Sequence, residues 1–300
     1  MKTWVICESP DLGAELVTGA KEMAASDVTV TAFTAGERAI AGADKTFLLP
    51  LPAAAPWESY LPVLLEKAQA DAPELILVGA SRRGRTLAAQ LAALLDAPCV
   101  SDCRKLTIDG GVKTVERMIY GGLALKTLQT SASTVVAIVA RGMYSAASGA
   151  AGDTETLSAP NGPIRVLERT AKAGNAVNLE EATRVVGVGR GFENKSELAI
   201  ARDLCAALDA NLACTRPIAE FFKWMPEECY LGISGQVIKP QLYMACGLSG
   251  QAQHVYGVRD AKVIVAINKD EHAPIMEHAD YFIIGDVKAV LPVLSVALKN

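Results

Sequence analysis

Short apolar runs alternate with amphipathic stretches along the first half of the chain. Runs rich in Val, Ile, Leu and Thr predict buried strands, and they occupy residues 3–7, 28–33, 46–49 and 75–79. The segments 58–70 and 85–97 between and after them carry apolar residues at helical spacing. Strand and helix in alternation predict a mostly parallel sheet that helices cover on both faces.

The pattern changes after this alternation. Residues 104–130 predict a hairpin that turns at Asp109-Gly110-Gly111, because Asp-Gly supplies the positive φ that a tight turn needs. Another apolar run at 133–140 predicts a further strand. Residues 141–180 are rich in Gly, Ala, Ser and Pro, which favours an interdomain crossover with one short strand near 164–168.

A second alternation follows this crossover, so the chain is predicted to form two domains, 1–180 and 181–300. The second domain has predicted helices at 196–210 and 287–300, and its predicted strands lie at 184–189, 211–215, 229–234, 241–247, 262–268 and 281–285. We expect an α/β fold in which each domain is a doubly wound, Rossmann-like sheet. Such sheets bind ligands at the carboxyl ends of their strands.

The composition excludes several classes of protein. Hydrophobic residues make up 51% and charged residues 21% of the 300 residues, and the net charge is −4. A nucleic-acid-binding chain is usually basic, and no apolar run reaches the roughly 18 residues of a membrane span. The N-terminus turns acidic too early for a signal peptide. Seven irregularly spaced cysteines favour reduced thiols in a cytoplasmic protein.

Two loops after predicted strands carry arginines. The segment 187–192 reads GVGRGF, which suits a phosphate loop around Arg190 or merely a tight turn. It is not the dinucleotide fingerprint, because Phe192 replaces the third glycine. Thr215 and Arg216 follow the next strand, where the arginine either points into the crevice or lies on the surface.

A short motif occurs twice: the segments 232–236 and 247–251 both read Gly-apolar-Ser-Gly-Gln. The glycine directly after the serine argues against a hydrolase elbow. Ser249 and His254 would lie about 140° apart on a helix, which does not suit a catalytic pair but suits two ends of one long ligand. A turn with a buried imidazole behind it is the other interpretation.

Polar residues also follow the last two predicted strands. Asn268 and Asp286 occupy positions from which a side chain, most often a carboxylate, accepts hydrogen bonds from ribose hydroxyls. His272 and His278 lie in a polar connection and are expected on the surface. No spacing among the three histidines predicts a metal site.

Taken together, these segments resemble the alpha subunit of electron transfer flavoprotein, in its nitrogen-fixation and carnitine-type branch. The resemblance is most specific in the second half, in the stretches 184–192, 214–220, 231–254, 262–275 and 279–286. The stretches 79–102 and 117–125 resemble the family's first domain more loosely.

The resemblance implies one FAD in the C-terminal domain. Arg190 would lie near the cofactor, Arg216 against the flavin ring and Ser234 opposite flavin N5. The turn from Ser249 would surround the ribityl–phosphate portion, and His254 would reach flavin O2. Asn268 and Asp286 would face the adenosine half. The residues that the resemblance assigns to FAD are Arg190, Thr215, Arg216, Leu231, Gly232, Ile233, Ser234, Ser249, Gly250, Gln251, Ala252, Gln253, His254, Asn268, Asp286 and Val287.

Elementary electrostatics agrees with these assignments. A cation at Arg216 and a donor at His254 would stabilise negative charge that reduction adds to the flavin. The pyrophosphate would meet the positive end of a helix that starts near Gly250. Many family members have Gln-Thr where this chain has Ile233-Ser234, so an amide near N5 is replaced by an apolar side chain.

The implied function is that of an electron carrier rather than an enzyme with its own substrate. The family works as a heterodimer with a beta subunit, which the first domain would face, and it serves acyl-CoA dehydrogenase-type, other flavoprotein or quinone-linked partners, as in fatty acid beta-oxidation. The alternative is an adenine-nucleotide-binding α/β protein without redox activity, a sensor or a store. Arg216, Ser234 and His254 discriminate, since an AMP-sized ligand would not reach all three.

Overall fold

The chain folds into two compact units, Met1–Thr170 and Ala171–Asn300. The computed structural model describes residues 1–23, 27–52, 55–158, 162, 164–170, 179 and 181–299. The domain boundary predicted between residues 180 and 181 falls at a position outside the described residues and stays a prediction.

The first unit is built around a mixed sheet. Its described elements, in chain order, are β1 (Lys2–Cys7), α1 (Pro10–Met23), β2 (Thr29–Thr34), β3 (Lys45–Leu48), α2 (Leu61–Asp71), β4 (Leu75–Gly79), α3 (Arg82–Leu94), β5 (Cys99–Asp109), β6 (Val112–Ile119), β7 (Ala124–Thr130), β8 (Val135–Val139) and β9 (Asp153–Thr156). The strand order is β7-β6-β5-β8-β4-β1-β2-β3-β9. Pairing is parallel from β5 to β9 and antiparallel at β5-β6-β7.

The central strands of this sheet, β1, β4 and β8, are buried on both faces. In β1, Trp4 and Ile6 pack into one apolar cluster, while Val5 and Cys7 pack into the cluster on the other face. Successive side chains of a strand point to opposite faces, which explains why β1 is apolar along nearly its whole length. This is the covered sheet that the continuous apolar runs predict.

The predicted hairpin is confirmed at its turn. Gly110 and Gly111 join β5 to β6 with φ of 54° and 82°, as a tight hairpin turn requires. The short strand predicted near 164–168 is wrong. The crossover contributes β9 instead, an exposed edge strand beside β3. Its sequence Asp-Thr-Glu-Thr lacks the apolar positions by which a buried strand is recognised.

The second unit carries a parallel sheet. Its described elements are β10 (Arg184–Val188), α4 (Leu198–Leu208), β11 (Asn211–Cys214), β12 (Leu242–Cys246), α5 (Ala252–Val255), β13 (Val263–Asn268), β14 (Tyr281–Ile284) and α6 (Val287–Ala297). The strand order is β11-β10-β12-β13-β14, with all pairs parallel. The chain steps outward from β10 to β11 and returns to β12 on the other side. The direction of winding therefore reverses at β10, which opens a crevice at the carboxyl ends of β10 and β12.

The segment predicted as a strand at 229–234 does not form one. A 3₁₀ turn at Glu227–Cys229 is followed by isolated bridges from Tyr230 and Leu231. Gly232 has a φ of 141°, which lets the backbone fold back so that its N–H donates to Gln236 O at 3.0 Å. The apolar residues of this segment form a loop across the end of β11.

The predicted fold class is confirmed: both units are α/β with mostly parallel, doubly wound sheets. Along the described residues, none of the helices combines the length and apolar character needed to cross a bilayer.

Candidate functional site

Loops from the carboxyl ends of the five described strands of the second unit surround one cavity of about 690 Å³. That volume lies within the range of small-molecule and cofactor sites, about 300–1,000 Å³. Fifteen of the sixteen residues that the sequence analysis assigned to a ligand line this cavity; the exception is Ala252. The strand-end rule therefore brings together side chains that lie almost a hundred positions apart in the sequence.

The cavity has further lining residues that the sequence analysis missed. They are Gly191, Pro217, Phe221, Tyr230, Gly247, Leu248, Lys269, Asp270, Ala273, Pro274 and Gly285. Lys269 and Asp270 directly follow β13, so the rule that found Asn268 could have found them. Phe221 ends a π-helical turn, Pro217–Phe221, for which the sequence gives no signal.

The loops after β10 and β12 touch through their backbones. Gly191 N donates to Gly247 O at 2.7 Å, and a Cβ on Gly191 would lie 2.6 Å from Gly247 Cα. Phe192, which breaks the dinucleotide fingerprint, is buried in the core behind this contact. The glycines thus allow the two loops to pack closely. Arg190, which directly precedes Gly191, is exposed and lines the cavity.

Arg216 stands at the start of the π-helical turn after β11. Thr215 N donates to Val188 O at 2.9 Å, which fixes the loop to β10. The Arg216 Nε donates to the Glu220 carboxylate at 2.6 Å, and that carboxylate raises the pKa of the guanidinium. The arginine is therefore charged and, with 59% of its side chain exposed, lies at the open side of the cavity.

His254 is buried at the cavity wall, and both its ring nitrogens are engaged within the protein. Nδ1 lies 3.2 Å from Leu231 O; a carbonyl only accepts, so Nδ1 carries the proton. Desolvation lowers the pKa of His254 to about 4, although the Leu231 bond opposes this. The ring is hence neutral near pH 7, and Nε2 accepts from the Tyr243 hydroxyl at 2.7 Å.

This arrangement changes the expectation for His254. The imidazole lies behind the turn, as one interpretation holds, and also lines the cavity, as the other holds. Its two ring nitrogens hold Tyr243 and Leu231, so a donor bond to flavin O2 would require one of these bonds to open. That contact stays a prediction.

The loop from Leu231 to Ser234 is fixed at several points. Leu231 N donates to Cys214 O, and Ile233 N donates to Gln253 O, both at 2.9 Å. The Tyr230 hydroxyl donates to Ser234 O at 2.6 Å. The side chains of Ile233 and Ser234 are exposed to the cavity opening.

The turn at Ser249 and Gly250 is tightly packed from behind. Ile275 N donates to Ser249 O at 3.0 Å, and a Cβ on Gly250 would lie 2.5 Å from Ile275 Cβ. The helix predicted to begin near Gly250 begins at Ala252 and ends at Val255. Because one turn aligns few peptide dipoles, it supplies much less positive potential than a long helix would.

Asn268 and Asp286 both line the cavity and both carry structural bonds. Asn268 Nδ2 donates to Leu248 O at 2.9 Å, while its Oδ1 accepts from Asp270 N. Asp286 caps α6 by accepting from Lys288 N at 2.8 Å. These bonds orient the two side chains at the ends of β13 and β14.

Comparisons with known proteins agree with the geometry. The family model described as "Electron transfer flavoprotein FAD-binding domain" matches residues 178–259, and the one described as "Electron transfer flavoprotein domain" matches residues 4–172. Protein FixB of Escherichia coli O1:K1 is 39% identical over 308 aligned residues, covering all of this chain and 98% of the relative. The chain belongs to the electron transfer flavoprotein alpha-subunit family.

Other relatives give the same picture of this family. Protein FixB of Shigella dysenteriae serotype 1 is 39% identical over 308 residues, and that of Escherichia coli O157:H7 is 37% identical over 316. Each alignment covers the whole chain and 98% of the relative. The predicted resemblance, including its nitrogen-fixation-type branch, is confirmed.

The cavity fits the family's cofactor, FAD. It combines two arginines, Arg190 and Arg216, with the hydroxyls of Ser234 and Ser249 and with glycine-containing loops that admit close approach. Such a donor set suits a ligand that carries a pyrophosphate and a polar ring. The protein is an FAD-binding electron transfer flavoprotein subunit, and the alternative of a nucleotide sensor or store without redox activity is not favoured.

Proposed function

We propose that FAD occupies the cavity formed by the loops after β10 to β14. The single observation that carries this is the convergence of fifteen predicted residues on one cavity of about 690 Å³. Arg216, Leu231–Ser234 and His254 form the part for the flavin ring, Ser249–Gln253 the part for the phosphates, and Asn268, Asp286 and Val287 the part for the adenosine half.

When bound, FAD supplies the redox chemistry, and the protein residues bind it and set its electrostatic environment. The charged guanidinium of Arg216 would stabilise negative charge on the ring. Neutral His254 contributes shape and orientation rather than charge. Ile233 brings an apolar side chain to a position where the family resemblance implies an amide in many members.

The subunit passes electrons between protein partners and has no substrate of its own. We infer a heterodimer with an electron transfer flavoprotein beta subunit, faced by the domain 1–180, while the domain 181–300 holds the cofactor. Flavoprotein dehydrogenases of the acyl-CoA type or quinone-linked oxidoreductases are the partners, as in fatty acid beta-oxidation, and the cytoplasm is the compartment. Full-length similarity to Protein FixB and the acidic composition support this assignment.

The visible spectrum of the purified full-length protein, co-produced with its beta subunit, tests the proposal. We expect oxidised-flavin absorption with one FAD per alpha subunit. Arg216→Ala should release most of the flavin, whereas Arg202→Ala, on the exposed side of α4, should retain it. A colourless protein that takes up AMP as readily as FAD would contradict the proposal.

A further inference from the structure

Glu220 is the partner that the structure gives to Arg216, and no motif in the sequence predicts a role for it. The two residues are four positions apart across the π-helical turn Pro217–Phe221. Arg216 lines the cavity, whereas Glu220 is absent from its described lining. Glu220 therefore does not touch a ligand in the cavity, and it can act on one only by orienting Arg216 or through its own charge.

The bond between these residues fixes the direction of the guanidinium. Arg216 Nε, which carries one proton, donates it to Glu220 Oε2 at 2.6 Å. The two Nη groups carry the other four protons of the planar fork. Holding the Nε edge on the Glu220 side therefore turns the Nη edge away from Glu220, so the planar donors have a defined orientation at the cavity.

The same bond lowers the net charge at this wall. A carboxylate in contact with the guanidinium cancels much of its field at distances longer than the pair itself. Glu220 has only 28% of its side chain exposed, so water screens this carboxylate less than it would a fully exposed one. The orientation that Glu220 gives to Arg216 therefore favours negative charge in the cavity, whereas the negative charge of Glu220 itself disfavours it.

We propose that Glu220 is a positioning residue that orients Arg216 toward FAD and, through its charge, holds the one-electron reduction potential of the bound flavin below the value that an unpaired arginine would give. This inference rests on the proposed placement of FAD beside Arg216. It adds a residue that sets the potential without touching the cofactor.

Two substitutions separate the two effects. Glu220→Gln keeps an oxygen that accepts from Nε but removes the negative charge, whereas Glu220→Ala removes both. In the full-length protein loaded with FAD, we expect Glu220→Gln to raise the equilibrium constant for adding the first electron by about three- to tenfold, which is about 30 to 60 mV. Glu220→Ala should give a lower potential than Glu220→Gln, because the guanidinium is then free to turn into solvent.

A second measurement follows the orientation without any cofactor. Solvent exchange of the Arg216 Nε proton, observed by nitrogen-15 NMR of the FAD-free protein, should stay slow in Glu220→Gln and become fast in Glu220→Ala. Glu227→Gln, in the neighbouring 3₁₀ turn, is the matched control for the loss of one negative charge. It should leave both the potential and the exchange rate at their wild-type values.

The outcomes are distinct. If Glu220→Gln binds FAD normally but leaves the potential unchanged, or if Glu227→Gln shifts it equally, the role of Glu220 is refuted while the cofactor site stands. Fast solvent exchange of the Arg216 Nε proton in Glu220→Gln would refute the orienting role. If the wild-type protein takes up no FAD, both this inference and the proposed function fail together.

Discussion

At the scale of single residues, the site depends on a buried chain of hydrogen bonds from Tyr243 through His254 to Leu231. Tyr243 is fully buried, and its hydroxyl lies where only a glycine leaves room: a Cβ on Gly187 would be 2.1 Å from it. An unpaired buried donor or acceptor is costly, so each member of this chain keeps the others in place. The imidazole is thereby held as the neutral tautomer with its proton on Nδ1.

Tyr243→Phe removes the donor to His254 Nε2. Because that donor stabilises the neutral ring, its loss should raise the pKa of His254 above about 4, by about one unit for one net hydrogen bond. Titration of the imidazole by nitrogen-15 NMR measures this. Tyr281→Phe, at an exposed tyrosine, is the control, and an unchanged or lower pKa in Tyr243→Phe would contradict the role given to the hydroxyl.

His254 also makes stability depend on pH. Its pKa is near 4 in the folded protein and near 6.5 when unfolded, so between these values the unfolded chain binds the extra proton. Stability is therefore highest above pH 6.5 and falls as the pH drops toward 4, with about 2 kcal/mol lost between pH 7 and pH 5. Urea unfolding at the two pH values should show a smaller loss for His254→Gln than for the wild type. Equal losses in both proteins would exclude His254 as the source.

At the scale of elements, the loops at the strand ends are shaped by glycines of two kinds. Gly250 has a φ of 73° and packs against Ile275, whereas Gly111 has a φ of 82° with open space around it. A side chain at position 250 would meet both backbone strain and a steric clash with Ile275. A side chain at position 111 would meet backbone strain alone.

Gly111→Ala should cost about 1 kcal/mol, because only the left-handed conformation opposes it. Gly250→Ala should cost more, about 2 to 4 kcal/mol, since the wall formed by Ile275 must move as well. FAD retention should fall in Gly250→Ala and stay at the wild-type level in Gly111→Ala. Unfolding free energies and flavin content measure both effects, and equal costs would argue against the packing at Ile275.

Apolar runs predict the buried strands because burial on both faces requires them. Apolar runs do not predict β9, because its residues are polar and exposed. They wrongly predict a strand at 229–234, where the apolar residues belong to a loop that folds back at Gly232. Strand ends predicted site residues such as Arg216 and Asn268, and the family resemblance assigned others such as Gln253. The hydrogen-bond partners of the site's side chains could not be predicted from the sequence. The bond of Arg216 to Glu220 depends on a π-helical turn, and the bond of His254 to Tyr243 depends on packing across the sheet.

At the scale of the whole molecule, each unit has its own sheet and its own apolar clusters on both faces. The cavity is lined entirely by residues 190–287, which belong to the second unit. A ligand that binds there stabilises the folded form of that unit by mass action.

We therefore expect FAD to act unequally on the two units. At a concentration of about 100 times the dissociation constant, the second unit should gain about 2.7 kcal/mol, while the first gains little. Hydrogen exchange of β10 reports the second unit, and hydrogen exchange of β1 reports the first. A rise of the same size in both would mean that the units unfold as one.

The glycine contact between the loops after β10 and β12 has a consequence for engineering this protein. Since Gly191 and Gly247 meet backbone to backbone, the lengths of both loops are coupled, and inserting a residue into either would separate the strand ends. Libraries aimed at a different cofactor analogue should therefore keep these two loops intact. Diversity belongs at Ile233 and Ser234, which line the cavity and are exposed, so that a changed side chain there meets the ligand and leaves the core intact.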